Sequence, residues 1–187
     1  MKKWLKSFSL FDLLLCSLMA ALGIAVKSVV VPLVHIITGA LLIPGGALAG
    51  GFYMLFLVLA CCLTHRLGAA SVTALVQAIL VMVTGLFGSH GVMSLVTYFL
   101  PGLAIDFVMF LTRHRGGCIT CCFVGGMAAN VVGTVAVNFT FFDLPLVPLL
   151  LSLALAALSG GLGGLLAYSM SKKLHDMGVI KRVEGVK

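Results

Sequence analysis

Charged side chains are scarce in this sequence. They account for only 9% of its 187 residues, whereas 61% are hydrophobic, and a soluble domain carries roughly 25% charged residues. A chain with so few charges lacks the polar surface that a water-exposed fold needs. We therefore predict an integral membrane protein that forms a single transmembrane domain over residues 1–187, with no soluble domain besides it.

Acidic residues are rarer still, with five aspartates and glutamates in total. They form no paired-carboxylate site, no nucleophile stands beside a base, and no G-x-x-x-x-G-K-[ST] phosphate-binding loop is present. We therefore expect no catalytic residue, no enzyme activity, no cofactor and no nucleotide hydrolysis by this chain. The basic residues form no continuous surface, so nucleic acid is not an expected partner.

Apolar stretches dominate the chain and predict an all-α transmembrane bundle of six helices. Each stretch approaches the roughly 20 residues that a bilayer core requires. After Asp12 in its first turn, the first is interrupted only by Lys27. The predicted spans are about 10–31, 47–64, 67–88, 91–112, 117–139 and 146–171, followed by a tail over 172–187.

The distribution of basic residues predicts the orientation of the bundle. Six spans put both termini on the same side of the membrane. If that side is cytoplasmic, all of the 12 lysines and arginines except Lys27 fall in cytoplasmic segments, as the positive-inside rule requires. We predict that both termini and the 172–187 tail are cytoplasmic.

Residues 31–46, between the first two predicted spans, contain Pro32, Pro44 and several glycines. Irregular backbone at membrane depth is tolerated only where it is buried in protein or lines a cavity. One interpretation is therefore an outer lid or re-entrant loop, and the alternative is a short helix followed by a turn.

Polar side chains recur at helical spacing on the fourth and fifth predicted spans and indicate an outward-facing pocket for a small polar or heteroaromatic molecule. An alternative is that the amides and hydroxyls only join helices by hydrogen bonds. Tyr53 is a further, weaker pocket candidate. The predicted substrate-binding residues are His35, Gln77, His90, Ser94, Tyr98, Asn130, Thr134 and Asn138.

Apart from Asp12 at the start of the first span, Asp106 is the only carboxylate within a predicted span. A charge at that depth is expensive and usually faces a cavity or a partner. It is either a ligand contact or conformational latch, or a structural anchor paired with the region of Arg113 and Arg115 near the cytoplasmic end of the fourth span.

The six cysteines raise the question of a metal site, because Cys118-x-x-Cys121 has the spacing of half a zinc site. All six are predicted in the cytoplasmic half of the bundle, where thiols stay reduced. Small apolar thiols also pack well inside helical bundles. We expect neither a disulfide nor a metal ligand, and metal carriage is kept as an alternative function.

Small residues recur at every fourth position on the first span, at Ser17, Ala21 and Ala25, so they share one helical face. Such a face lets a second membrane helix approach closely, and we predict that it is a docking surface. The same spacing recurs on the sixth span at Ser152, Ala156, Gly160 and Gly164.

Three stretches give the chain a resemblance to a known family: Ala21-x-x-x-Ala25, Arg66-Leu67-Gly68-Ala69-Ala70, and the run from Pro101 to Asp106. It resembles the substrate-binding S components of energy-coupling-factor (ECF) vitamin transporters. Within them it is most similar to the subgroup associated with thiamine and its hydroxymethylpyrimidine precursor, whose members are sometimes labelled cobalt permeases.

The resemblance implies a multi-pass protein of a prokaryotic cell membrane that binds a vitamin-like solute from outside. It implies that Ser17, Ala21 and Ala25 dock on a membrane coupling subunit and that two cytoplasmic ATPases drive uptake. Cobalt and nickel members begin with a Met-His motif that binds the ion, whereas Met1 is followed here by Lys2 and Lys3. That departure argues against a metal substrate.

Two other functions stay open from the sequence alone. The first is a membrane scaffold or assembly protein that has no small-molecule ligand and uses the small-residue faces of the first and sixth helices. The second is a metal-ion permease subunit of the cobalt type that uses the cysteine and histidine clusters.

Overall fold

The computed structural model describes residues 8–39, 44–85, 93–113 and 116–178, and within them all regular structure is helical, which confirms the predicted fold class. The fifth helix continues into a π-helical turn, Asn138–Phe142. The six helices are α1 (Leu10–Thr38), α2 (Gly45–Thr64), α3 (Ala69–Thr84), α4 (Met93–Thr112), α5 (Ile119–Val137) and α6 (Leu146–Asp176).

Five of the described helices are long and apolar enough to cross a membrane. The exception is α3, which has 16 residues where the sequence predicted a span over 67–88. It begins after Gly68 and ends before Gly85, both of which have positive φ, a conformation that glycine adopts without steric cost. Six spans therefore remain a prediction.

The first helix extends further than the sequence predicted. It continues through Pro32 to Thr38, so residues 31–38 of the predicted lid are helical, as in the alternative interpretation of a helix and turn. A proline is tolerated inside a membrane helix because neighbouring groups satisfy the backbone that it frees. Residues 40–43 of the predicted lid lie outside the described part of the chain.

Successive helices alternate in direction, which gives the bundle two distinct ends. The start of α1 contacts the α2–α3 connection, where Asp12 lies 3.7 Å from Arg66. At the same end the Ser171 hydroxyl of α6 donates to the Cys62 carbonyl of α2 at 3.3 Å. We call this the basic end, because the basic residues Arg66, Arg113, Lys172 and Lys173 lie there. The opposite end contains the cavity described below, and we call it the cavity end.

The core of the bundle is built around α2. Within an apolar segment of 18 residues, 78% of the α2 residues are buried, compared with 28% for α1 and for α4. The α6 helix packs against α2 closely enough that Gly51 N–H donates to the Ser159 hydroxyl at 2.8 Å. That hydroxyl in turn donates to the Leu48 carbonyl.

The small residues of α6, which are Ser152, Ala156, Gly160 and Gly164, are all buried. A methyl group on Gly160 would overlap the Gly126 carbonyl of α5, and one on Gly164 would overlap the Cys122 carbonyl. This face is therefore a packing surface within the bundle. It is not available to a partner, which corrects the scaffold hypothesis for the sixth helix.

Candidate functional site

A cavity of about 460 Å³ lies at the cavity end of the bundle, between α1, α2, α4 and α5. On α1, α4 and α5 the lining residues include pairs three or four positions apart, so they share one face of each helix. Its principal lining side chains are Lys27, Val31 and His35 of α1, Tyr53 of α2, Ser94, Thr97 and Tyr98 of α4, and Thr134 and Val137 of α5.

The cavity wall contains a basic side chain held against two aromatic rings. The Lys27 Nζ donates a hydrogen bond of 2.7 Å to the Tyr98 hydroxyl. It lies 4.0 Å from the centroid of the Tyr98 ring and 5.0 Å from that of Tyr53, within the distance of a cation–π interaction. The two tyrosines therefore orient the ammonium group between α2 and α4.

A smaller inner pocket of about 40 Å³ adjoins the cavity and shares Lys27, Tyr53 and Tyr98 with it. Gln77 of α3 lines only this inner pocket. Its side chain is 4% exposed, and its Nε2 has no hydrogen-bond partner among the described residues. The amide lies against Gly23 of α1, where a methyl group would overlap Nε2.

Five of the predicted substrate-binding residues come together here. His35, Ser94, Tyr98 and Thr134 line the cavity, and Gln77 lines the inner pocket. His35 is fixed by the start of α2, because its Nδ1 accepts a hydrogen bond of 3.3 Å from Gly45 N–H. His90 lies outside the described residues.

The two predicted asparagines serve the packing of the bundle instead. Asn130 is 1% exposed, and its Nδ2 donates to the carbonyls of Ala47 in α2 and Ala156 in α6, both at 2.9 Å. The Asn138 Oδ1 accepts from Leu144 N–H at 3.0 Å and holds the α5–α6 connection. Neither side chain lines the cavity, so both follow the alternative interpretation of helix-joining amides.

Lys27 and Thr97 line the site but were not predicted to do so. Lys27 carried a usable signal, because it is the only charged residue of the first predicted span apart from Asp12 at its start, and an ionisable residue at membrane depth usually marks a functional site. Thr97 carried no such signal, because a threonine within a helix commonly donates its hydroxyl to the backbone carbonyl four residues earlier. Thr97 does this as well, donating to the Met93 carbonyl at 3.2 Å.

Asp106 lies at the basic end, away from the cavity. Its carboxylate accepts hydrogen bonds from Gly68 N–H at 3.0 Å and from Ser71 N–H at 2.8 Å, and also from the Ser71 hydroxyl. It therefore caps the N-terminus of α3, where a negative charge also complements the helix dipole. Eight residues of helix, or about 12 Å, separate it from Tyr98.

Asp106→Ala is expected to destabilise the bundle without changing ligand affinity. It leaves the first amides of α3 without their acceptor, and an unsatisfied buried group costs about 1–3 kcal/mol. Thermal unfolding in detergent measures the loss of stability, and ligand titration of the folded fraction measures affinity. Weaker ligand binding at unchanged stability would contradict the anchoring role.

The cysteines gather near the basic end. All six are free thiols, and the Cys62 and Cys122 sulfurs are 3.3 Å apart in the core. Among the described residues no three histidine, cysteine or acidic side chains come together as a metal site. Cys118 and Cys121 are one helical turn apart at the start of α5.

The small-residue face of α1 contrasts with that of α6. Ser17, Ala21 and Ala25 are all exposed on the outside of the bundle. Their sequence neighbours Cys16, Met19 and Ala20 are instead buried against the core. The fold of this chain thus leaves the Ser17–Ala21–Ala25 face accessible to the membrane.

Three comparisons with known proteins bear on this arrangement. A family model described as "ABC-type cobalt transport system, permease component" matches residues 11–132. A crystal structure of an S component of an ECF transporter aligns with a TM-score of 0.74 at 21% identity, over 92% of this chain and 88% of that chain. The chain has the fold of that S component. A search of curated proteins found no match.

Proposed function

Since the chain belongs to the family of ABC-type cobalt transport system permease components, we propose that it is the substrate-binding S component of an ECF-type importer. The observation that carries this proposal is the cavity of about 460 Å³ between α1, α2, α4 and α5. That volume falls in the range of small-molecule binding sites, and its few polar groups converge from different helices.

The proposed orientation puts the cavity outside the cell and both termini in the cytoplasm. The exposed side chains of Arg113, Lys172 and Lys173 cluster at the opposite end of the bundle from the cavity, and basic residues favour the cytoplasmic side. In this orientation α3 acts as the third of six spans. The solute then enters from outside, near the end of α1 and the start of α2.

The proposed partners are a membrane coupling subunit and two cytoplasmic ATPases, which supply the energy. The exposed face of Ser17, Ala21 and Ala25 is the proposed docking surface, because small residues let a partner helix approach the α1 backbone. This chain binds and releases the solute and performs no catalysis.

The proposed solute is a vitamin or vitamin precursor of the thiamine or hydroxymethylpyrimidine kind. The aromatic rings of Tyr53 and Tyr98 and the hydroxyls of Ser94 and Thr134 suit a heteroaromatic ring with polar substituents. The family description names cobalt, but a divalent cation would be repelled by the Lys27 ammonium in the cavity wall. The cavity therefore favours an organic solute over a metal ion.

The proposal is tested by purifying the tagged chain from native membranes in mild detergent. We expect one membrane protein and two ATPases to co-purify, and we expect an organic molecule to be released from the chain on denaturation. Mass spectrometry identifies both. A well-folded chain that carries neither partners nor an organic molecule would refute the proposal and favour a scaffold, and retained cobalt would favour a metal permease.

A further inference from the structure

Three hydrogen-bond donors meet at the inner pocket. The Lys27 ammonium and the Tyr98 hydroxyl are joined at 2.7 Å, and Gln77 Nε2 is buried beside them without an acceptor among the described residues. Leaving a buried donor without an acceptor is costly. The inner pocket is therefore built to receive an oxygen or nitrogen acceptor that the protein itself does not supply to Gln77.

The charge of the residues that line the cavity and the inner pocket also favours a ligand with hydrogen-bond acceptors. Neither the cavity nor the inner pocket is lined by an acidic side chain of the described residues. Asp12 and Asp106 lie at the basic end, Asp176 ends α6, and Asp143 is exposed outside the lining. Any side-chain charge that the described lining offers to a bound molecule is therefore positive, and Lys27 is the residue that supplies it.

The size of the inner pocket limits the group that enters it. A single water needs roughly 10–15 Å³, so a pocket of about 40 Å³ accepts a group of about three non-hydrogen atoms, which is the size of a carboxylate. The larger cavity beside it has the apolar walls of Val31, Val137 and Phe142, which suit the ring of the same molecule.

We propose that the solute is an organic anion, whose ring occupies the cavity and whose carboxylate-sized oxyanion enters the inner pocket against Lys27 and Gln77. This inference rests on the proposed function and specifies its substrate class. Lys27 supplies the opposite charge, and Gln77 Nε2 donates to an oxyanion oxygen. Of the two kinds of solute named under the proposed function, an anionic derivative of the hydroxymethylpyrimidine kind therefore fits the site, whereas thiamine does not, because the same ammonium repels its fixed positive charge.

The test uses pyrimidines that differ in charge at one substituent. The probes are 4-amino-2-methylpyrimidines with a hydroxymethyl, an aminomethyl, a carboxylate or a phosphorylated hydroxymethyl group at position 5. Their affinities for the purified full-length chain are measured by calorimetry. We expect the carboxylate to bind at least about tenfold more tightly than the neutral hydroxymethyl compound, since a charge-assisted hydrogen bond contributes that much, and the aminomethyl compound to bind most weakly.

Lys27→Met is the diagnostic variant, because methionine keeps the length of the chain and removes the charge. We expect it to abolish the preference for the carboxylate over the hydroxymethyl compound. Lys172→Met, the same substitution on the exposed basic end of α6, should leave the preference unchanged. Thermal unfolding without ligand checks that both variants are folded.

A second measurement applies if the pyrimidine ring is not the correct scaffold. The small molecule released from the purified chain is tested for retention on an anion exchanger. Its yield from the Lys27→Met variant is compared with its yield from the wild-type chain. An anion that is lost in the variant supports the inference.

Three outcomes overturn the inference alone: equal or weaker binding of the anionic probes, a neutral or cationic released molecule, or an anion preference that survives in Lys27→Met. A stronger effect with the phosphorylated probe than with the carboxylate would keep the anion and correct its size. If no probe binds and no organic molecule is released, the proposed function itself fails, and the inference fails with it.

Discussion

Gly160→Leu is expected to prevent normal closure of the bundle and to lower its unfolding temperature by about 10 °C. Gly160 approaches Gly126 so closely that even a methyl group would overlap the Gly126 carbonyl and come within 2.7 Å of the Asn130 Cβ. Overpacking of a close contact costs about 3 kcal/mol at the upper end of its usual range. In a chain of this length each kilocalorie shifts the midpoint by roughly 2–4 °C.

Separating α5 from α6 would also break hydrogen bonds of Asn130, because the Asn130 amide on α5 donates to backbone carbonyls of both α2 and α6. Thermal unfolding and gel filtration in detergent provide the measurement. Ala154→Leu is the matched control, since it places the same side chain on the exposed face of α6 and should leave the midpoint within about 1 °C, as surface substitutions usually do. Equal effects of the two substitutions would mean that the glycine contact does not hold the helices together.

Ala21→Trp is expected to abolish uptake while leaving solute affinity unchanged. Ala21 is exposed on α1 and does not line the cavity. An indole there fills the groove of the Ser17–Ala21–Ala25 face and keeps a partner helix from approaching the α1 backbone. Uptake of labelled solute into cells should fall to the level of cells that lack the chain, and titration of the purified variant should match the wild type.

Ala154→Trp provides the control for this experiment, because it introduces the same ring at an exposed alanine of a different helix. It should support normal uptake and normal recovery of the coupling subunit and the ATPases, whereas Ala21→Trp should lose all three partners. Joint loss of binding and uptake in Ala21→Trp would point to misfolding. Full uptake by that variant would show that docking uses another surface.

Polar side chains with the same spacing take different roles in this fold. Asn130 and Thr134 lie one turn apart on the same face of α5, and the sequence treats them alike. Asn130 lies where α2 and α6 pack against α5, so its side-chain amide donates hydrogen bonds to two backbone carbonyls. Thr134 lies one turn further toward the cavity end and lines the cavity.

The site itself was partly readable from the sequence. The spacing of Ser94 and Tyr98 placed both on one face of α4, and both line the cavity. Lys27 was set aside as an interruption of an apolar run, because the sequence gives no sign of the two tyrosines that hold it. Cation–π and hydrogen-bond partners from α2 and α4 are contributed by chain segments that lie far from it in sequence.

By itself the sequence determined that this is a helical membrane protein, because composition and the length of apolar runs depend only on local residues. It also located two small-residue faces, on α1 and α6, without distinguishing them. Tertiary packing decided that the Gly160 face is buried against α5 and that the Ala21 face is exposed. Helical periodicity specifies which residues share a face, but which neighbour covers that face depends on how all six helices share the available space.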